Sequence, residues 1–348
     1  MLRVAVWSTG TVARHAIAGV LAHPEMELVG VWTSTPEKEG TPYGDVRATT
    51  DRDAILALKP DCIVHAAMTD DRIFEAIDDL RSFLDAGVNV VSSGPVVLVW
   101  PWGTFPDTVI DPLVKAGVAN DATLHVNGID PGFANDLLPL ALSSLSQRID
   151  HLRVSEIADY STYYQPVVMR DLFGFGQPLD ARPMLWEPGI LSTAWGPVVR
   201  LLAAGLGVTL DEPLVEYVER RPAPRDISTL SVEISEGTMA SVLFRVVGTV
   251  DGVPRITLQH VTRCSPELEP DWPTPTKGDG CYRVEFEGEP TMSLEFSHHG
   301  EHGDHNVSGM IITAQRLVNA IPAVVAAAPG LATPLDLPLV TGRGLVAR

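Results

Sequence analysis

The most constraining feature of this chain is the alternation, through its first third, of short β-rich runs with helical patterns. That order builds a parallel sheet through right-handed crossovers. The β-rich runs are residues 3–7, 28–33, 62–67, 89–92 and 123–127. From Thr11, the residues Val12, Ala16, Val20 and Leu21 recur at helical spacing, and Ile73, Ile77, Leu80 and Leu84 do so later, so both segments are expected to be crossover helices. After about residue 152 the pattern changes. Runs at 229–235, 238–250 and 253–264 are joined by Glu236-Gly237 and Asp251-Gly252, which are hairpin signals. Another pair, 281–287 and 291–297, flanks Gly288-Glu289-Pro290, and a helix is expected over 190–204. The Pro-, Gly- and acid-rich stretch 266–280 reads as a surface loop. Beyond Gly303, the spacing of Ile311, Leu317, Val318 and Ile321 restores a helix.

A chain of 348 residues has room for about two domains of ordinary size. No stretch approaches the ~18 unbroken apolar residues of a membrane span, so a soluble protein is expected, with no membrane partner. The apolar N-terminal run is interrupted by Ser8-Thr9-Gly10-Thr11 and followed by Arg14 and His15, so export is not expected. Cys62, Cys264 and Cys281 are too few for a disulfide framework and lack paired metal-ligand spacing, which fits a reducing cytoplasm. The net charge of −19 repels a phosphate backbone, and no Lys/Arg cluster compensates, so nucleic acid is not an expected partner. Small-molecule chemistry remains.

The turn after the first β-rich run names the kind of molecule. A dinucleotide fingerprint needs glycines where a strand becomes a helix, because the backbone must approach a pyrophosphate while helix N–H groups point at it. Here Ser8, Gly10 and Ala13 stand at the three glycine positions. The motif is degenerate, but it follows the first strand, opens an amphipathic helix and begins a βαβ unit of about 30 residues, as the mechanism requires. Ser8, Thr9, Gly10, Thr11 and Val12 are the candidate phosphate loop. An acid at the end of the second strand would grip a ribose 2′-hydroxyl and favour NAD. This chain has Thr33 and Ser34 there, with Lys38 nearby, which tolerates a 2′-phosphate and favours NADP. Ala66, Ala67 and Met68, then Ser92 and Ser93, end later strands at the carboxyl edge where a dinucleotide runs. Asn127, before Gly128 and Pro131-Gly132, is a candidate partner for a nicotinamide carboxamide. The expected fold is α/β: a Rossmann-type parallel sheet over 1–135, a second α+β domain on a mostly antiparallel sheet over 136–305, and a helical segment, 306–348, returning to the first domain.

With these pieces in place the chain resembles the dihydrodipicolinate reductase-like superfamily, in the branch of 2,4-diaminopentanoate dehydrogenase and the native amine dehydrogenases. The resemblance spans nearly the whole chain. It rests on the degenerate loop from Trp7 to Ala13, on Asn127-Gly128-Ile129-Asp130-Pro131-Gly132-Phe133, on Asp159-Tyr160-Ser161-Thr162-Tyr163, and on Val318-Asn319-Ala320-Ile321-Pro322 with Pro329-Gly330-Leu331. It implies an NAD(P)-dependent oxidoreductase that interconverts a small amine with a carbonyl compound plus ammonia, working as a homodimer.

Amine dehydrogenation needs a base while hydride moves to or from the nicotinamide. In the family a glutamate follows the strand corresponding to 88–92, whereas this chain reads Ser93-Gly94-Pro95-Val96-Val97-Leu98 and has no acid there. The alternatives lie on the strand entering the second domain: Asp159, Glu156, Tyr160, Tyr163 and Tyr164. A tyrosine is a poor base near its ordinary pKa of ~10 but can polarise a carbonyl oxygen. His298, His299, His302 and His305, with Glu301 and Asp304, form a cluster interrupted by Gly300 and Gly303. It reads as a solvated loop, and no metal is expected. Trp100-Pro101-Trp102, Phe173, Phe175 and Trp195 are candidate walls of an apolar pocket or ordinary core. Two rival readings stay open: a reductase of imines, carbonyls or conjugated C=C bonds that needs no ammonia, and a non-catalytic dinucleotide sensor.

Overall fold

The computed structural model describes residues 1–300 and 303–346. The chain divides into two compact units, one made of Met1–Phe133 with Met310–Arg348 and the other of Ala134–Gly309. In chain order the first unit contributes β1 (Leu2–Trp7), α1 (Thr11–Ala22), β2 (Met26–Trp32), β3 (Pro42–Tyr43), β4 (Val46–Thr49), α2 (Arg52–Ala57), β5 (Cys62–His65), α3 (Ile73–Asp85), β6 (Asn89–Ser92), α4 (Asp107–Ala119) and β7 (Thr123–Val126). There follow α5 (Leu137–Ser143), β8 (Arg148–Asp159), α6 (Ile190–Ala194), α7 (Gly196–Leu206), β9 (Val215–Pro222), β10 (Ile227–Ser228), β11 (Glu233–Ile234), β12 (Met239–Val250), β13 (Val253–Arg263), β14 (Gly280–Glu289) and β15 (Met292–Phe296). The chain closes with α8 (His305–Val325) and β16 (Gly330–Ala332).

The first unit is a sheet of order β16-β7-β6-β5-β1-β2-β4-β3, parallel at every pairing except β3 with β4. From β1 the chain goes to β2 on one side, then crosses back to β5 on the other. That reversal opens a crevice at the carboxyl ends of β1 and β5. Alternation along β1 sends Val4 and Val6 toward Ala13, Ile17 and Val20 of α1 and toward Leu317 and Ile321 of α8; Ala5 and Trp7 point the other way, toward Leu80 and Phe83 of α3. Each fully buried aliphatic side chain of this kind contributes about 1.5–3 kcal/mol. β16 adds a last parallel strand, with Gly330, Leu331 and Ala332 opposite Thr123, Leu124 and His125.

The second unit is a sheet of order β15-β14-β8-β13-β12-β9, antiparallel except where β8 meets β13. One face packs Val154, Phe244 and Leu258 against Val198, Val199 and Leu202 of α7. The other buries Ile157, Leu243, Val261 and Cys281 around Trp272. The chain thus has the α/β architecture of a Rossmann-like parallel sheet joined to a mostly antiparallel one.

Three local expectations are corrected. Residues 229–235 do not form one strand, because Thr229 Oγ1 accepts the N–H groups of Ser231 and Val232 and curls the backbone between β10 and β11. On the side away from β13, the partner of β12 is instead the charge-bearing β9. The helix expected over 190–204 breaks at Trp195, since Pro197 has no N–H to continue the bonds of α6 and instead sits in the first turn of α7. Loop 266–280 is not wholly a surface feature, for Trp272 is buried beneath the sheet and Arg263 donates to the carbonyls of Leu268, Glu269 and Pro273.

Candidate active site

The crevice of the first unit is built from strand ends. Ser8 leaves β1 with φ +128°, a conformation that is strained for any residue but glycine, and its Oγ accepts the Gly10 N–H at 3.1 Å. Gly10 is exposed and extended at φ −73°, and α1 starts with neither a side-chain cap nor an acid in its first turn. The first N–H groups of α1, from Thr11 and Val12 onward, are therefore left to a ligand, with the helix dipole favouring an anion. Thr9 Oγ1 and Thr33 Oγ1 share a hydrogen bond of 2.9 Å, Thr33 Oγ1 also accepts the Thr35 N–H, and Lys38 Nζ donates to the Thr9 carbonyl at 3.3 Å. Strand ends β1 and β2 are thus tied through Thr9 and Thr33, while Ser34 stays exposed.

Next along the edge, Ala66 is buried and donates to the Trp7 carbonyl, Ala67 is half-buried and Met68 exposed. Ser92 is fully buried, and its hydroxyl is held by His65 Nδ1 at 2.8 Å and by both backbone groups of Gly94. Ser93 donates its N–H to the His65 carbonyl. Burial pushes the His65 imidazole down to about 4. Asn127 follows β7 and is only 1% exposed, yet neither polar atom of its amide has a partner among the described residues. Gly132 closes over it at φ +124°, where a Cβ would lie 2.3 Å from the Gly128 nitrogen, so only glycine permits this turn.

In the second unit, register places the polar groups. Glu156 on β8 lies opposite His260 on β13 and Tyr282 on β14, and His260 lies opposite Phe244 on β12. His260 Nε2 stands 3.1 Å from Glu156 Oε2, Tyr160 O–H donates to Glu156 Oε1 at 2.9 Å, and Thr262 Oγ1 bonds His260 Nδ1 at 2.7 Å. Burial alone raises the Glu156 carboxyl, but the His260 imidazole and the Tyr160 hydroxyl outweigh it and hold the group below the ordinary carboxylate range. The surroundings are aromatic: His260 stacks on Phe244 at 5.0 Å, with Trp195 at 5.8 Å and Phe173 at 6.0 Å. Tyr163 packs on Tyr160 at 4.7 Å.

Of the acid–base candidates, then, Glu156, Tyr160 and Tyr163 come together. Asp159 alternates to the other side of β8, where its carboxylate accepts the N–H and O–H of Ser161; burial pushes it up. Tyr164 is exposed. Phe173 and Phe175 are buried and stack on each other in the core of the second unit, and Trp100 and Trp102 belong to the first. The solvated-loop reading fails for His305, which is buried, and for His298, which stacks on it at 4.2 Å and is pushed down to about 4 by burial; His299 is exposed. Glu301 and His302 lie outside the described residues, and no group of metal ligands forms among the rest. Sequence reading passed over His260 and Thr262. The signal was present in the alternation Ile256, Leu258, His260, Thr262, which puts an imidazole on the apolar face of a strand.

These features fit a nicotinamide dinucleotide, given an uncapped helix start after Gly10 and a buried orphan amide at Asn127, and with the fold they define a dinucleotide-dependent oxidoreductase. The chain belongs to the 2,4-diaminopentanoate dehydrogenase family, whose C-terminal domain model matches residues 133–345. It is 39% identical over 359 residues to the amine dehydrogenase of Streptomyces virginiae, covering all of this chain and 99% of that one. It is 25% identical to the 2,4-diaminopentanoate dehydrogenase of Acetoanaerobium sticklandii, over 97% and 94% of the two chains. The fold matches that of the amine dehydrogenase from Mycobacterium smegmatis with a TM-score of 0.77 at 22% identity, over 98% and 97% of the chains. It also matches GenD2 of gentamicin A biosynthesis, solved with NAD, with a TM-score of 0.53 at 17% identity, over 96% and 89%.

Proposed function

We propose that this protein is an amine dehydrogenase that interconverts a small, fairly apolar primary amine with the matching ketone or aldehyde plus ammonia, using NADP in preference to NAD. The full-length 39% identity to an amine dehydrogenase carries the reading. When bound, the nicotinamide supplies the hydride acceptor or donor. Asn127 holds the carboxamide with its orphan amide, and the Ser8–Val12 backbone holds the phosphates. Glu156 is the acid–base group, kept ionised by His260 and Tyr160, and it replaces the acid that the Ser93–Leu98 segment lacks. Asp159 is set aside because its oxygens are engaged in its own turn. We assign Tyr160 to orienting Glu156 and Tyr163 to packing against it. The protein works in the cytoplasm, in keeping with three buried free cysteines, and as a homodimer; nucleic acid and membrane are no part of its action.

The deciding assay follows NAD(P)H consumption over a panel of ketones and aldehydes with ammonia present or omitted. Turnover that depends on ammonia is expected. Equal turnover without it, which the acid-free Ser93–Leu98 segment would favour, makes the protein a carbonyl, imine or alkene reductase; dinucleotide binding without any turnover makes it a sensor.

Support for NADP comes from the end of β2, where no carboxylate stands and the ammonium of Lys38 reaches the phosphate loop. A charge-assisted bond is worth about 1.5–3 kcal/mol, so Lys38→Ala should raise the KM for NADPH by about tenfold or more and leave that for NADH nearly unchanged. Equal rises for both would show that Lys38 only braces Thr9.

A further inference from the structure

Three polar side chains, Glu156, His260 and Thr262, interrupt an apolar sheet face. Along β8 the residues on that face are Leu152, Val154, Glu156 and Ala158, and along β13 they are Ile256, Leu258, His260 and Thr262; Leu152 pairs with Ile256, Val154 with Leu258 and Glu156 with His260. A lone carboxylate buried here would cost several kcal/mol, so it must be ionised against fixed partners or take up a proton. The fixing begins with the imidazole. His260 is 2% exposed, lies flat on Phe244 with 9° between the rings, and is hemmed by Trp195, Phe173 and Tyr160. The ring plane is set by packing before any hydrogen bond forms. In that plane Nδ1 meets Thr262 Oγ1, which is fully buried, and Nε2 meets Glu156 Oε2.

We propose that His260, locked by Thr262 into the tautomer that carries its hydrogen on Nε2, is the positioning residue that aims the Glu156 carboxylate and sets the pH above which that carboxylate works as a base. This rests on the reading of Glu156 as the acid–base group. Because an ionised carboxylate can only accept, the ring hydrogen sits on Nε2 and is donated to Glu156 Oε2, which leaves Nδ1 to accept from the Thr262 hydroxyl, while Tyr160 donates to Oε1. Each carboxylate oxygen has a second lone pair beyond the one these bonds use, and the Glu156 side chain is 11% exposed. The other groups facing Glu156 are two phenols and an imidazole pair, of which His305 adds to the lowering of the carboxyl. Tyr282 is its neighbour on β14 and Tyr163 sits against Tyr160; both are phenols. His305, at the start of α8, lies over Gly280, where a Cβ would come within 2.4 Å of its ring. His298 stacks on His305, and burial pushes both imidazoles down, His298 to about 4.

The test uses the full chain with Glu156→Gln, His260→Phe, His260→Gln and Thr262→Val. Phenylalanine keeps the ring stacked on Phe244 and deletes both nitrogens, whereas glutamine restores a donor near the Nε2 position. The acid limb of kcat/KM should move to higher pH by about one unit or more in His260→Phe, because the buried carboxylate loses a donated bond. The shift should be smaller in Thr262→Val and largely reversed in His260→Gln. Dinucleotide affinity, read by nucleotide fluorescence, should stay the same in all four. Nitrogen-15 NMR of the unmodified protein should find the His260 hydrogen on Nε2, with Thr262→Val mixing the tautomers; this measurement stands even if His260→Phe fails to fold. An unshifted acid limb in a folded His260→Phe, or a hydrogen found on Nδ1 alone, overturns the inference while a dead Glu156→Gln leaves the acid–base reading intact. A Glu156→Gln variant that turns over at the wild-type rate overturns both.

Discussion

Gly10→Ala is expected to weaken dinucleotide binding at least about 100-fold while leaving the fold untouched, because the two demands on this position come from different partners. The protein asks little of it. With φ −73° and ψ −172° the backbone is one any residue adopts, and a Cβ would meet only Ser8 Oγ, at an ordinary 3.4 Å. The unfolding temperature should therefore stay the same or rise slightly, since alanine restricts the unfolded chain more than glycine does. The ligand asks much more. The middle glycine of the motif lets the backbone come against the pyrophosphate, and a methyl group there holds the phosphates off the first N–H groups of α1. Several charge-assisted bonds of about 1.5–3 kcal/mol each are lost together, hence the expected size. Fluorescence titration with NADPH, beside thermal unfolding of both proteins, measures the two effects separately. Unchanged affinity would mean that the loop from Ser8 to Val12 does not hold the dinucleotide.

That Gly10 stood out in the sequence while His260 did not reflects how each acts. Gly10 acts locally: strand, turn and helix lie within residues 2–22, so the βαβ pattern could be followed along the chain. The parallel sheet was legible for the same reason, its strands being short apolar runs set off by helical spacing. β9 was not. Its run Val215-Glu216-Tyr217-Val218-Glu219-Arg220-Arg221-Pro222 lies at the sheet edge, with Val215, Tyr217 and Val218 all exposed, so neither face shows the two-residue alternation. The candidate acid–base chain was half legible. Glu156 and Tyr160 are four residues apart on one strand, but their partner arrives 104 positions after Glu156 through the parallel pairing of β8 with β13, which no local pattern encodes. The histidine loop misled because its glycines suggested solvent; burial of His305 depends on Gly280, a residue on another strand.

Glu156→Gln carries the second large effect. Glutamine fills the same volume, and its side-chain oxygen can still accept from Tyr160 or His260, so the sheet face should close around it. What it cannot do is take a proton. If Glu156 is the acid–base group, turnover of amine in one direction and of carbonyl plus ammonia in the other should both fall about 100- to 10,000-fold, with dinucleotide affinity unchanged. Stability gives a second readout whose sign follows from the carboxyl being held below its ordinary value in the folded state. Such a group contributes stability that is fully present above its unfolded pKa, near 4.5, and is lost as the pH falls through the lower folded value. The wild-type protein should therefore lose stability between about pH 5 and pH 2 partly through Glu156, and the variant, which has nothing to protonate there, should lose less. Unfolding temperatures of the two proteins should converge as the pH is lowered from 6 to 2. A constant gap across that range would mean that Glu156 is not held ionised by His260 and Tyr160. A variant that keeps full turnover would move the acid–base role away from β8 altogether.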